Sequence, residues 1–495
     1  MLKKLKGIKR WIILAIILVA ATYYYWAFVR EPDWRESAIQ DIDFIHQTLS
    51  NDHPGARDEA NPQFSQTLEK AHRFASSLAE RANSPAGYYY ATRAMTMPFE
   101  DAHLAAQFYR AIPRNRQWPG FFVSIGDNGQ LRVVSRDADK SPPVDARLLS
   151  CDGKSPKTLY EERVKPYIFR SWLPALQAGD WPWILIDAGN PFLPPLAACD
   201  FDIGGKVETY PLKWQPLEPT ILTEFTHSVE PRVDPSTALQ FVGDEIAWVS
   251  IASFFDSGDS VSEELASLIQ SIEEQRERLE RAKALVIDVR GNLGGASAAG
   301  YDVAKALWGD GFVADRIPRF SSTDWRASDN NLDRLDSAML GLRLKFGSDS
   351  DLYKKVSEIR DGLQQANATG QPFFVQLQPQ PERTNAASRT LPENVFFLTD
   401  FDCVSACLDF ADLMEAIEGV THIGTQTSGD TFYLEVVSAE LPSGIGQLVY
   451  PTAIHRGRER GVNQSHQPDL PFTGDISDTA AIIDWLSTRI ETSND

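Results

Sequence analysis

The sequence predicts an α/β fold: a layered core with a helical segment in front of it, a small β-rich module and a helical insertion. Three observations carry that expectation. From about residue 240 onward, short wholly apolar runs alternate with helix-length stretches, the order expected of a βαβα unit, for which a right-handed layered arrangement is the default. One apolar run ends in a glycine-rich turn, and another leads directly into a helix. The 495 residues, 43% hydrophobic and 23% charged, are long enough for about three domains and have the balance of a globular chain rather than a disordered one.

The elements follow in order. Residues 1–10 form a basic tail (Lys3, Lys4, Lys6, Lys9, Arg10) ahead of the apolar run Trp11 to Val29. At about 1.5 Å per residue this run just spans a hydrocarbon layer of about 30 Å, so 11–29 reads as a single membrane-spanning anchor. The positive-inside rule then leaves the N-terminus cytoplasmic and puts the body in the periplasm or outside the cell. A cleaved signal peptide is the alternative, because Val19-Ala20-Ala21 resembles a small-residue cleavage site. The aromatic cluster Tyr23 to Trp26 favours the anchor.

Residues 34–115 read as helical, with Ile39, Ile42, Ile45 and Leu49 at helical spacing before the breaker His53-Pro54-Gly55. Residues 116–235 read as a β-rich module, with runs such as Phe121-Phe122-Val123 separated by Gly and Asn. Within it, Val144 to Val164 reads as strand, Asp-Gly turn and helix.

Residues 240–490 form the core. A strand is expected at Ile246 to Ile251, a charged helix from about Ser260 to Arg281, a buried strand at Ala284 to Val289 and a helix at Ala298 to Leu307. A further strand at Val395 to Leu398 leads to a helix beginning near Ser405 or Ala406. Residues 315–392 interrupt the pattern with polar helices and a Pro-rich exit, an insertion whose place between the glycine turn and the serine strand suggests a cap over the cleft.

Composition limits function. The formal charge is −20, and because the first ten residues carry five cations the rest of the chain is near −25, which repels nucleic acid and anionic membrane surfaces. No HExxH occurs and the eight histidines are scattered, so no metal site and no cofactor is expected. Cys151, Cys199, Cys403 and Cys407 form an even set suited to an oxidising compartment, with pairing left open.

Two segments carry chemistry. Ser405, in FLTDFDCVSACLDFADLM, lies where a strand meets a helix. Free N–H groups there would stabilise an oxyanion formed when its hydroxyl attacks a carbonyl, although a plain N-cap serine fits the same pattern. In VIDVRGNLGG, residues 286–295, Gly294 and Gly295 let backbone N–H groups approach a ligand. Cys403 and Cys407 flank the serine at i and i+4, open to a local disulfide, two buried thiols or a reactive thiol.

In that order, IAWVSIASF, ALVIDVRGNLGG and FLTDFDCVSACLDFAD resemble the core motifs of the S41 peptidases, the tail-specific or C-terminal-processing proteases. Asp288, Arg290, Asn292, Gly294 and Gly295 occupy the turn positions and Ser405 the serine position. DHPGA, FEDAHLAA, IGTQTSGDTFY and QPDLPF extend the likeness over most of residues 38–490. It implies a ClpP/crotonase-like core, a PDZ-like reading of the β-rich module, and an oxyanion hole built from Gly294 or Gly295 with Ala406.

The departures from the family are informative. Tail-specific proteases pair their serine with a lysine about two dozen residues later, where this chain reads TSGDT with Asp430, and no lysine follows Lys355. A Ser/Lys dyad of that type is excluded. His103, in FEDAHLAA, resembles the histidine base of the tricorn-like, lysine-lacking branch, and its ordinary pKa near 6.5 suits that role. Where that branch has a serine before the histidine this chain has Ala102, which leaves Asp101, Asp430, Glu435 and Glu459 as candidate orienting acids. The resemblance thus implies a serine endopeptidase acting on peptide or protein substrates. The alternative is an inactive relative that binds a hydrophobic ligand or peptide tail. Oligomeric state is not legible in the sequence.

Overall fold

The computed structural model describes residues 31–492 apart from 113–114, 127–128, 138–140, 169–172, 174–178, 256–261 and 380–381. The expected membrane anchor at 11–29, with its basic tail, lies outside the described residues. Among those described, no helix is long and apolar enough to cross a membrane.

The core is a six-stranded sheet in the order Leu470–Pro471, Val420–Gly424, Asn394–Thr399, Ala284–Asp288, Ile246–Ser250, Ala238–Val242. All neighbours run parallel except the last pair. Side chains alternate across the sheet. Ala247, Val249, Leu285, Ile287, Val395 and Phe397 belong to a core shared with helices Glu263–Glu274, Ser297–Trp308 and Ala406–Glu415. Ile246, Trp248, Ala284, Val286, Phe396 and Leu398 pack with Ile482, Leu486 and Ile490 of the last helix, Thr479–Thr492. Burial on both faces is why these strands read as unbroken apolar runs. Each large side chain so buried contributes about 2 kcal/mol relative to exposure.

A second, antiparallel sheet is built on the long strand Gly446–Arg456. Tyr433–Glu440 pairs along one side of it, and Ala105–Phe108 and Ser322–Arg326 along the other, with Phe373–Leu377 beyond. Helices Trp34–Asn51, Phe64–Ala79 and Pro85–Thr96 cover this sheet through a core that includes Ile42, Leu68, Tyr90, Leu448 and Tyr450. The β-rich module is a five-stranded antiparallel sheet, Phe121–Ile125, Leu131–Arg136, Arg147–Cys151, Ala198–Ile203 and Lys206–Pro211 in sequential order. Asp152 and Gly153, both at positive φ, make the expected turn, and a disulfide joins Cys151 to Cys199 on the paired strand.

The insertion departs from expectation. Its helices Asp329–Phe346 and Asp351–Ala368 are present, but it also supplies two strands of the second sheet, and none of its described residues lines the cavity that holds Ser405. Asn331, buried, is the reason. Its amide donates to the Asp52 carbonyl at 2.9 Å and accepts from the Tyr450 hydroxyl at 3.0 Å, while Asn330 donates to Asp52 Oδ2 at 2.9 Å. These bonds hold the first helix of the pair against the N-terminal helical region.

Candidate active site

Ser405 follows the parallel strand Asn394–Thr399, and the glycine turn follows its neighbour Ala284–Asp288, with Asp288 opposite Leu398. Both segments therefore emerge at the carboxyl end of adjacent parallel strands, where ligands bind in open α/β sheets. Asp400 ties them together, both of its oxygens accepting the Gly291 N–H at 3.0 Å.

Ser405 has φ 59° and ψ −125°, a conformation sparsely populated by non-glycine residues, and its side chain makes no capping bond to the helix it precedes. The plain N-cap reading is thereby lost. Its hydroxyl instead lies 3.3 Å from His103 Nε2, across 302 residues of chain. The second sheet makes that meeting. His103 sits in the turn closed by the Leu104 N–H on the Asp101 carbonyl at 3.2 Å, just before the strand Ala105–Phe108 that pairs with Gly446–Val449.

The four candidate acids separate clearly. Asp101, 3% exposed, accepts the His103 backbone N–H at 2.8 Å, and its carboxylate lies 3.6 Å from His103 Nδ1, an ion-pair distance beyond hydrogen-bond reach. Thr431 holds the other oxygen, donating to it at 3.0 Å. Asp430 is committed elsewhere: Arg458 pairs with it at 2.9 Å and Arg460 pairs with it more closely. Arg460 continues to Asp409 and Asp412 on the serine helix at 3.0 and 3.1 Å. Glu435 lies 3.4 Å from His455, and Glu459 is exposed. Burial pushes the His103 imidazole down, but Asp101, with Asp430 adding and Arg458 opposing, leaves its pKa above the ordinary value.

The glycine pair also divides. The Gly294 N–H is spent on Asn292 Oδ1 at 2.9 Å, so Gly294 is not the hydrogen-bond donor that the motif suggested. It acts by having no side chain: at φ 90°, a Cβ there would lie 2.6 Å from the Val404 carbonyl oxygen and 2.9 Å from Ala406 N. The Gly295 and Ala406 N–H groups have no acceptor among the described residues. Asp288 and Arg290 pair with each other at 2.6 Å, and Arg290 anchors the turn to the Ile476 carbonyl and Thr479. They are structural.

All four cysteines are bonded, Cys151 to Cys199 and Cys403 to Cys407, which removes the reactive-thiol reading. A cavity of about 960 Å³ opens beside Ser405 and His103, and none of the described residues of 315–392 lines it. Its wall is largely apolar, with Tyr89, Phe225, Phe255, Leu293, Phe401 and Val436, of which Phe255, Leu293 and Val436 are about half exposed or more. Sequence reasoning missed Thr431 and the Arg458–Arg460 pair. The dense charge run RGRER was the one available signal for the latter.

Comparison with known proteins bears on this arrangement. The profile of peptidase family S41 matches residues 245–471, the stretch that holds the glycine turn and Ser405. No curated protein matches the sequence. Among solved structures the chain is similar to mature CPAF, with a TM-score of 0.52 and 14% identity over 88% of this chain and 93% of that one. It is also similar to mature CPAF complexed with lactacystin, with a TM-score of 0.51 and 14% identity over 93% of this chain and 100% of that one. At such identity the likeness is one of fold.

Proposed function

Because the chain belongs to peptidase family S41, which its residues 245–471 match, we propose that it is a serine endopeptidase working through Ser405 and His103. The observation that carries this reading is the 3.3 Å approach of His103 Nε2 to Ser405 Oγ at a serine held in a strained turn. His103 takes the hydroxyl proton as the oxygen attacks a peptide carbonyl, and the Gly295 and Ala406 N–H groups receive the developing oxyanion. His103 then protonates the leaving amine, and a water activated by the same imidazole hydrolyses the acyl-enzyme. The apolar wall of the cavity supports peptide or protein substrates. The histidine base and the lack of lysine after Lys355 support the tricorn-like branch.

A fluorophosphonate probe tests the reading. Labelling of the wild type that is lost in Ser405→Ala supports it, whereas no labelling at any pH overturns it in favour of a non-catalytic binder.

The orienting role is assigned to Asp101, with a stated pH dependence. The base works only as neutral imidazole, and a raised His103 pKa keeps it protonated to higher pH. The acidic limb of kcat/KM is therefore expected above pH 6.5. Asp101→Asn should move that limb downward and lower the plateau by about 100-fold. A limb that does not move would assign the role elsewhere.

For location, the proposal is an N-terminal anchor at residues 11–29 with the body exported. Two disulfides support an oxidising compartment.

A further inference from the structure

Cys403 and Cys407 stand two residues before and two after Ser405 and are bonded to each other, and both are fully buried. Their side chains belong to the core beneath the serine helix, beside Phe410 and Ala411. The nucleophile thus sits at the crown of a small covalent ring. Besides the disulfide, the Cys407 N–H donates to the Val404 carbonyl at 3.2 Å and the Ser405 carbonyl accepts the Leu408 and Asp409 N–H groups at 2.8 and 3.4 Å, while the Ser405 hydroxyl is unused by the helix. From outside, the Ser428 N–H holds the Cys403 carbonyl at 3.1 Å. A serine at φ 59° relaxes to ordinary backbone angles unless its surroundings prevent it.

Global stabilisation explains this bond poorly. In the chain-entropy account a crosslink stabilises by the loop it closes in the unfolded chain. This one spans a sequence separation of 4, against 48 for Cys151–Cys199. Its effect is concentrated on the residues between the sulfurs.

We propose that the Cys403–Cys407 disulfide is a redox-sensitive positioning device that holds Ser405 in its attacking conformation, so that a dithiol switches the site off while the fold persists. The inference rests on the peptidase reading of Ser405. In the switching step a dithiol thiolate attacks one sulfur and the 403–407 bond breaks. The second thiol of the reagent then closes its own disulfide. Two electrons and two protons pass to the protein, leaving thiols at 403 and 407. With the ring open, Ser405 relaxes, its oxygen leaves His103, and the Ala406 N–H turns away from the oxyanion position. A displacement of about 1 Å at such a site costs about 100-fold in rate.

The test compares fluorophosphonate labelling, kcat and KM of the full chain before and after dithiothreitol, with near-ultraviolet circular dichroism on the same samples and thiols mapped by mass spectrometry. Reduction at 403 and 407 is expected to lower labelling and kcat by about 100-fold, leave KM within about threefold, preserve the dichroism, and reverse on reoxidation. Cys403→Ala/Cys407→Ala is expected to be slow and insensitive to reductant, whereas Cys151→Ala/Cys199→Ala keeps the sensitivity. Undiminished labelling once 403 and 407 are reduced, or sensitivity that follows Cys151–Cys199, overturns this inference alone. Should the 403/407 variant fail to fold, the mapped reduction of the wild type decides. An oxidised wild type that never labels overturns the peptidase reading, and this inference with it.

Discussion

Ser405→Ala and His103→Ala should each lower kcat on a peptide substrate by about 10⁵- to 10⁶-fold, and the double variant should be no slower than either single one. The reason is that in the proposed mechanism the two groups perform one act. With the imidazole removed, the hydroxyl has no group within reach to take its proton, since Asp101 touches the backbone and one side of His103 rather than Ser405. Among the described residues no lysine lines the cavity to replace it. With the hydroxyl removed, the base has nothing to activate but water. What remains in either case is the oxyanion site and substrate binding, which typically preserve about 10³- to 10⁴-fold over the uncatalysed reaction. Thermal midpoints should stay close to wild type, because His103 and Ser405 are joined to each other by a single 3.3 Å contact. Losses that multiply in the double variant would mean that the two residues act separately, and the acyl-enzyme account would fail.

That pairing shows what the sequence could and could not convey. The strands Ile246–Ser250, Ala284–Asp288 and Asn394–Thr399 were legible because burial on both faces demands apolar runs, and the serine helix because its apolar positions recur at helical spacing. The second sheet was not. Its partners Ala105 and Val449, or Trp325 and Ala453, are hundreds or scores of residues apart, and a pleated segment does not encode which distant edge it will join.

Motif likeness supplied the His103–Ser405 proximity, which spacing alone never could. It also offered four acids for one role, and only the turn geometry separates Asp101 from Asp430, which Arg458 and Arg460 had already claimed. The insertion was misjudged as a cap for a similar reason: position in the chain does not say which side of the molecule an excursion covers, and the buried Asn331 decides that here.

Gly294→Ala is the second variant expected to have a large effect, lowering kcat by about 10²- to 10³-fold while also destabilising the fold. Two costs combine in it, and a second glycine separates them. At Gly347 φ is 80° and ψ 163°, and a Cβ would meet nothing within 4 Å, so Gly347→Ala carries only the positive-φ backbone penalty, about 1 to 3 kcal/mol, with kcat unchanged. At Gly294 φ is 90° and the added carbon meets the Val404 carbonyl, Ala406 N and Ser405 Cβ at 2.6 to 2.9 Å, all backbone or stiff atoms within one turn of the nucleophile. The glycine turn itself has little room to retreat, because Asn292 fixes the Gly294 N–H and Asp400 fixes Gly291. Relief must come from moving residues 404–406, which displaces both the attacking oxygen and the Ala406 donor. Chemical unfolding together with single-turnover kinetics would divide the total. A Gly294→Ala protein that loses stability yet acylates at the wild-type rate would show that the oxyanion forms somewhere other than between Gly295 and Ala406.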